Sequence, residues 1–250
     1  MIPKLQLSDG EISFYRQLGF LTIPGLLSDS CAGGLREEVA DIMNAIGGVA
    51  GNKLRQTTEY LENSALDRFV NDANLRDLAA QLLGGPCSVY MPFTAVKGSG
   101  GGQFHFHQDN QYTHFTDGMH GINLWFALSP MTPENGCLMV VPRSHLAGTL
   151  ESDLSGDGDQ HKRVKIEPTD FYPLRMRPGD CVAFSRLTVH GSGPNMTNDL
   201  RIAYAVQFNR DDAMYTDPQT KELKSLKEFP RYVNKPVKEL TIPKGKTDGH

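Results

Sequence analysis

The stretch Gln103-Phe104-His105-Phe106-His107-Gln108-Asp109 alternates polar and apolar side chains. On a strand this pattern puts Gln103, His105, His107 and Asp109 on one face and Phe104 and Phe106 on the other. The phenylalanines call for a core, so the polar row faces solvent or a wet interior. Side chains two positions apart sit about 6.6 Å apart along a strand and can converge on one metal, whereas those four apart are separated by about 13 Å. The local ligand pair is therefore His105/His107 or His107/Asp109. A third ligand must come from elsewhere. His190 is best placed: it lies in Leu187-Thr188-Val189-His190-Gly191-Ser192-Gly193-Pro194-Asn195, after a predicted strand that the Pro178-Gly179-Asp180 turn opens. The turn-rich residues that follow would leave its imidazole at the mouth of a barrel. Two histidines and one carboxylate make a facial triad, which leaves three adjacent positions of an octahedral iron(II) open to an organic cosubstrate and dioxygen.

Eleven residues after His190, Arg201 opens Arg201-Ile202-Ala203-Tyr204-Ala205-Val206-Gln207-Phe208. Ile202, Tyr204, Val206 and Phe208 form a packing face, and Arg201, Ala203, Ala205 and Gln207 form the opposite one. An arginine followed by two alanines on an inward face describes a pocket with a cation at one end, and the guanidinium fork suits a carboxylate. The run 121–129 repeats the logic, with Ile122, Leu124, Phe126 and Leu128 packing and Asn123, Trp125 and Ala127 facing the other way. Each piece alone has an ordinary explanation. An H-x-D is usually surface polarity, a lone histidine is usually satisfied locally, an arginine at a strand start pairs with a neighbour such as Asp199, and a tryptophan is usually core. The case rests on all of them occurring in order within one predicted barrel.

The elements that must position these residues divide the chain in two. Ser8 with Glu11 three positions on is a capping box opening a helix over 8–18. A strand follows at 20–23, then a longer helix capped by Ser28 or Ser30 and running to about Ile46, with Leu35, Val39, Ile42 and Ile46 on one face. A third helix spans 74–83. From Cys87 onward, short apolar or alternating runs recur between turn residues, which predicts strands at 87–97, 103–109, 121–129, 137–141, 172–177, 180–185 and 200–208. The polar stretch Glu151–Gln160 reads as a mobile surface loop or lid. The fold class expected is mainly β, a double-stranded β-helix (jelly roll) with a helical N-terminal segment packed on it. One domain over 1–250 is expected, with mainly helical support at 1–86, a jelly-roll core at 87–210 and an irregular C-terminal tail at 211–250.

Composition agrees with a soluble, globular chain rather than a disordered one or a nucleic-acid binder. Of 250 residues, 39% are hydrophobic and 22% charged, so the chain can bury a core without staples. The formal net charge of −4 argues against a phosphate-backbone partner, so no nucleic acid is expected. No apolar run approaches the length of a membrane span, and no basic segment followed by an apolar run opens the chain, so no membrane partner and a cytoplasmic location are expected. Cys31, Cys87, Cys137 and Cys181 show no C-x-x-C spacing and read as reduced, mostly buried thiols.

Taken together, the motifs resemble the phytanoyl-CoA dioxygenase family of iron(II)- and 2-oxoglutarate-dependent oxygenases over nearly the whole chain. The opening SDGEISFYRQLGFLTIPGLLS resembles that family's first helix and strand, and His107-Gln108-Asp109 its metal-binding HxD. Pro133-Glu134-Asn135-Gly136-Cys137-Leu138 and Val141-Pro142-Arg143-Ser144-His145 resemble its ENGCL…PGSH segment, with Arg143 where glycine is usual. Arg177-Pro178-Gly179-Asp180 and the His190 segment resemble its turn and distal-histidine motif. The resemblance selects His107, Asp109 and His190 as iron ligands and makes His105 a neighbour of the site. It implies that Arg201 holds the distal carboxylate of 2-oxoglutarate, that Ser192 and Trp125 contact that cosubstrate, and that Lys97 stands close by. It further implies dioxygen as oxidant, release of succinate and CO2, hydroxylation of an unactivated C–H of a small-molecule metabolite, and ascorbate as an accessory reductant. Halogenation is disfavoured, since Asp109 occupies the ligand position that halogenases open with a small residue. Arg143 and Gln111 are candidate substrate contacts, with Tyr112, Phe115 and Arg210 near the same entrance, and the two arginines hint at an anionic group. Two rival readings are a cupin-like site using His105/His107, which lacks the glutamate it would want near Gln111, and a catalytically silent small-molecule-binding barrel.

Overall fold

The computed structural model describes residues 2–49, 54–154, 161–165, 169–226 and 236–240. Its N-terminal third is helical. Helix α1 (Asp9–Leu18) starts at the reciprocal Ser8–Glu11 capping box and stops at Gly19, whose φ of 84° a side chain would resist. Strand β1 (Phe20–Ile23) follows, then α2 (Asp29–Ala45), with Ser28 rather than Ser30 capping its N-terminus. Two further helices, α3 (Ala65–Val70) and α4 (Ala73–Leu83), precede the β region. The short α3 was not expected. Its six residues are too few to show a helical period, and its start rests on Ser64 accepting from the Asp67 N–H.

The β region forms two main antiparallel sheets. The larger is built from β2 (Leu54–Arg55), β3 (Cys87–Lys97), β5 (Gly121–Ala127), β10 (Cys181–Ser185) and β12 (Arg201–Arg210), together with β1. Their order is β1-β10-β5-β12-β3-β2. The smaller sheet holds β4 (Phe104–His107), β6 (Leu138–Val140), β9 (Tyr172–Pro173) and β11 (His190–Ser192) in the order β4-β11-β6-β9. This is the expected jelly roll with helices on one side. The outer face of the large sheet (Ile122, Leu124, Phe126, Ile202, Tyr204, Val206 and Phe208) packs into one core with Leu35, Val39 and Ile42 of α2 and Leu75, Leu78 and Leu82 of α4. The inner face carries Trp125, Ala127, Ala203 and Ala205. Strict alternation along β5 and β12 thus separates a helix-covered face from a cavity-lining face, as the side-chain pattern predicts.

Several local expectations need correction. The 211–250 segment is not wholly irregular: β13 (Met214–Thr216) and β14 (Leu223–Ser225) form a hairpin. Asp217 accepts from the Gln219 and Thr220 N–H groups and from Lys224 Nζ, which closes the turn. Of the 151–160 loop, Ser152–Leu154 is a strand (β7) paired with Lys162–Val164 (β8), and 155–160 lie outside the described residues. The predicted strand 172–177 is ladder only at Tyr172–Pro173, with one isolated bridge between Met131 and Met176. No helix among the described residues is long and apolar enough to cross a membrane. All four cysteines are unpaired, three of them buried.

Candidate metal and cosubstrate site

The triad is assembled where the small sheet meets a turn. His190 opens β11 and pairs directly with His107, the last residue of β4. It therefore begins a strand, instead of hanging from the end of one. The β4–β11 register shifts between His190↔His107 and Ser192↔Phe104, so two steps on β11 span three on β4. This bulge breaks the simple alternation. It brings Phe104 and His107 to the same cavity, whereas His105 points away and contacts Gln103. Phe104 is thus a cavity wall and not a core residue. Gly191 lies beside the bulge, where a Cβ would come within 2.9 Å of the Phe104 carbonyl oxygen. Asp109 is not on the strand at all. It has helical φ and ψ (−57°, −30°) at the entry to the single-turn helix α5 (Asn110–Thr113), and this turn swings its carboxylate back toward the histidines.

Asp109 Oδ1 lies 3.9 Å from His107 Nε2 and 3.7 Å from His190 Nε2. The three donor atoms fall within 4.8 Å of one another, the only such group of His, Cys, Asp or Glu among the described residues. Each imidazole is anchored in the same way, through Nδ1–H to the carbonyl two residues before it. His107 Nδ1–H donates to the His105 carbonyl at 2.8 Å and His190 Nδ1–H to the Thr188 carbonyl at 2.9 Å. These bonds fix the tautomer and turn both Nε2 lone pairs inward, the usual support for a metal-bound histidine. Burial, then the neighbouring His190, push His107 down to about 3, so it stands neutral and ready to coordinate. A nitrogen–nitrogen–oxygen set on one side of an open cavity suits iron(II) better than the sulfur-rich sites of zinc or iron–sulfur clusters. Asp109 Oδ2 accepts from Gln207 Nε2 at 3.2 Å, which leaves Oδ1 as the free donor. Gln207 Oε1 in turn accepts from Arg186 Nη2 at 2.9 Å. Between the ligands, Gln108 is fully buried and ties this turn to Leu187, Gly148 and Leu150.

The cavity beside the triad measures about 590 Å³ and draws its walls from both sheets. At one end stands Arg201, 2% exposed, with its guanidinium 5.5 Å from the Trp125 ring centroid. No hydrogen bond or ion pair engages its side chain among the described residues, and its Nε is enclosed without a partner. Burial pulls its pKa down to about 10. Such a buried, unanswered cation is expensive unless an anion joins it. Lys97, the register partner of Arg201, donates to Ser192 Oγ at 2.7 Å and to the Ser192 and Gly193 carbonyls. Burial and then Arg201 push it down to about 6.

Among the residues singled out in the sequence, His107, Asp109, His190, Arg201, Ser192 and Trp125 all line this one cavity. Arg143 and Gln111 do not. Arg143 is exposed at a turn with φ 67°, its N–H held by the Leu18 carbonyl. Gln111 is buried, but its amide braces the Gln108 N–H and the Leu150 carbonyl. Arg210 pairs with Asp212 away from the cavity. The polar residues that do line the walls include Asn123, Arg186 and Gln207. Alternation had put Asn123 and Gln207 on the inward faces without giving them a role, and nothing in the sequence signals Arg186.

A family model described as phytanoyl-CoA dioxygenase (PhyH) matches residues 15–203. The chain is 29% identical over 215 residues to a methylphosphonate hydroxylase of Gimesia maris, covering 81% of each protein. It is 29% identical over 235 residues to an L-proline trans-4-hydroxylase of Streptomyces griseoviridis, covering 82% of this chain and 87% of the relative. Among solved structures, EvdO2 from Micromonospora carbonacea complexed with 2-oxoglutarate superposes with a TM-score of 0.73 at 21% identity, over 88% of this chain and 98% of that one. This last likeness speaks to the fold alone.

Proposed function

This chain belongs to the phytanoyl-CoA dioxygenase family of iron(II)- and 2-oxoglutarate-dependent oxygenases, and from that premise we propose that it hydroxylates an unactivated C–H of a small-molecule metabolite through the His107–Asp109–His190 centre. The observation that carries the residue assignment is the pairing of that three-donor cluster with an unanswered, buried Arg201 in one cavity. In this reading His107, Asp109 and His190 hold iron(II), and Arg201 takes the distal carboxylate of 2-oxoglutarate. Bound iron supplies the means to couple oxidative decarboxylation of the cosubstrate, to succinate and CO2, with oxidation of the metabolite by dioxygen.

The chain's own residues bind, orient and exclude. The carbonyls of His105 and Thr188 hold the two imidazoles in the tautomer that presents Nε2. Gln207 holds Asp109 by Oδ2, so a single carboxylate oxygen is offered. Arg201 presents a fork to a carboxylate, backed by the indole of Trp125, while Ser192 is held in place by Lys97. Phe104, Phe184 and Trp125 line the wall and keep water from the centre. A cytoplasmic setting is part of the proposal, supported by four unpaired cysteines.

The test is succinate formation from 2-oxoglutarate with iron(II), ascorbate and oxygen, in the wild type and in His107→Ala. The wild type should release succinate and the variant should not. A wild type that neither binds iron nor turns over 2-oxoglutarate would leave the silent barrel as the better reading.

A further inference from the structure

The cavity has a second polar end that the cosubstrate does not need. Arg201 and Gln207 share the inward face of β12 but stand six residues apart, about 20 Å along a strand. A five-carbon diacid anchored at Arg201 and reaching the triad leaves the Gln207 end empty. Beside Gln207 in the sheet, at its register position on β5, lies Asn123. Asn123 is 2% exposed and lines the cavity, yet its carboxamide makes no hydrogen bond among the described residues, and Oδ1 is enclosed without a partner. A buried polar group left unmade costs about 1–3 kcal/mol, so an amide on a cavity wall whose Nδ2–H donors are unbonded among the described residues points to a ligand that accepts. The third member is Arg186, 1% exposed and on the same wall. Its guanidinium lies 4.4 Å from the Tyr90 ring centroid and 4.8 Å from that of Phe115, and its Nη2 donates to Gln207 and Asn209. These contacts hold a positive charge rigidly at this end. Glu59 brings the opposite sign to the cavity, but from the 56–59 segment and not from the strands that carry Asn123 and Gln207.

We propose that Asn123, Arg186 and Gln207 form the primary-substrate subsite, and that it takes an oxyanion headgroup, a carboxylate or a phosphonate. The inference rests on the oxygenase reading and deepens it by naming the substrate class. Asn123 Nδ2–H beside a fixed guanidinium offers N–H donors to such a group, while its enclosed Oδ1 is an acceptor and has no part in that role. Gln207 links the subsite directly to Asp109, so a headgroup bound there leaves the next few atoms of the molecule near the metal centre. This geometry favours a compact substrate whose target carbon lies close to its acid group.

The experiment uses the full chain loaded with iron(II) and 2-oxoglutarate under argon, and measures probe binding by calorimetry. The probes are L-proline and methylphosphonate, each against a neutralised counterpart, L-prolinamide and dimethyl methylphosphonate. At least one acid should bind while its counterpart does not, and which acid binds tells a carboxylate subsite from a phosphonate one. Asn123→Asp, nearly isosteric but anionic, should weaken that binding by roughly tenfold or more, the worth of a charge-assisted hydrogen bond. Asn123→Leu should weaken it similarly while the melting temperature of the probe-free protein holds or rises, because an unpartnered buried amide has gone. Equal binding of acid and counterpart, undiminished binding by Asn123→Asp, or a lowered melting temperature in Asn123→Leu would each overturn the subsite. So would failure of both acids to bind at millimolar concentration to protein that does take up 2-oxoglutarate. Failure to take up 2-oxoglutarate at all would instead strike the oxygenase reading.

Discussion

Replacing Arg201 by methionine should make the ligand-free protein more stable and its cosubstrate binding far weaker. The side chain is 2% exposed, and no hydrogen bond or ion pair engages its charge among the described residues. The drop in its pKa from the ordinary guanidinium value to about 10 corresponds to about 3 kcal/mol of penalty on the charged form. Methionine removes that penalty and fills much of the same volume, but it also removes the cation from the face of Trp125, a contact worth about 0.5–2 kcal/mol. A net gain of about 1–2 kcal/mol remains, which in a protein of this size lifts the melting temperature by about 2–8 °C. The opposite holds once 2-oxoglutarate is present. Leaving a buried carboxylate without its cation costs about 3–5 kcal/mol. The dissociation constant for 2-oxoglutarate should therefore rise between roughly a hundredfold and several thousandfold. Calorimetric melting of the metal-free proteins gives the first quantity, and titration of 2-oxoglutarate into iron(II)-loaded protein under argon gives the second. A lower melting temperature in the variant would mean that Arg201 is satisfied within the fold. A cosubstrate affinity within about threefold of wild type would mean that the anion sits elsewhere.

Other consequences follow from the same geometry. His107→Ala and Asp109→Ala should abolish iron(II) binding in equilibrium dialysis, whereas His105→Ala should retain it. The reverse result would restore the His105/His107 pairing. Gln207→Leu removes the donor to Asp109 Oδ2 and should weaken iron affinity by roughly 10–100-fold, read by competition with a chelator. Gly191→Ala would place a Cβ 2.9 Å from the Phe104 carbonyl and press β4 away from β11. Because His190 and His107 face each other across that pairing, iron affinity should fall more than melting temperature does. For Lys97, burial holds the folded pKa near 6 while the unfolded chain keeps the ordinary lysine value. Between those values the unfolded state binds the extra proton, so this residue's penalty is relieved as pH rises. Urea denaturation of the ligand-free protein from pH 7 to 9 should show wild type gaining stability relative to Lys97→Met. The relative gain is at most about 1.4 kcal/mol per pH unit, and less because the Ser192 and Gly193 oxygens favour the ammonium. A flat difference would show that Lys97 stays charged when folded.

How legible the site was depended on how regular the backbone is beneath it. Along β5 and β12, whose mutual ladder runs without a register shift from Ala203↔Ala127 to Asn209↔Gly121, side chains alternate, so Arg201, Ala203, Ala205 and Gln207 fall on the cavity face from the sequence pattern alone. The same holds for Asn123 and Trp125. Short strands carry no such guarantee. His190 opens a three-residue strand that must pair with both β4 and β6, and no local pattern announces a strand that brief. Arg186 is buried between aromatic rings contributed by distant segments, Tyr90 and Phe115, so its role belongs to tertiary packing. Arg143 carries a charge that would suit an anionic substrate. The left-handed turn it occupies directs it outward, and charge in the sequence says nothing of direction.

The H-x-D segment shows why alternation could not choose the ligands there. A regular strand through 103–109 would put His105, His107 and Asp109 on one face and leave two equally spaced pairs. The bulge against β11 leaves His105 outside the cavity lining, and the αR turn at Asp109 brings its carboxylate beside His107 and His190 from beyond the strand end. Both departures occur within six residues of one another. A regular strand contains neither departure, so the two pairs are equivalent in the sequence and differ only where the backbone bends.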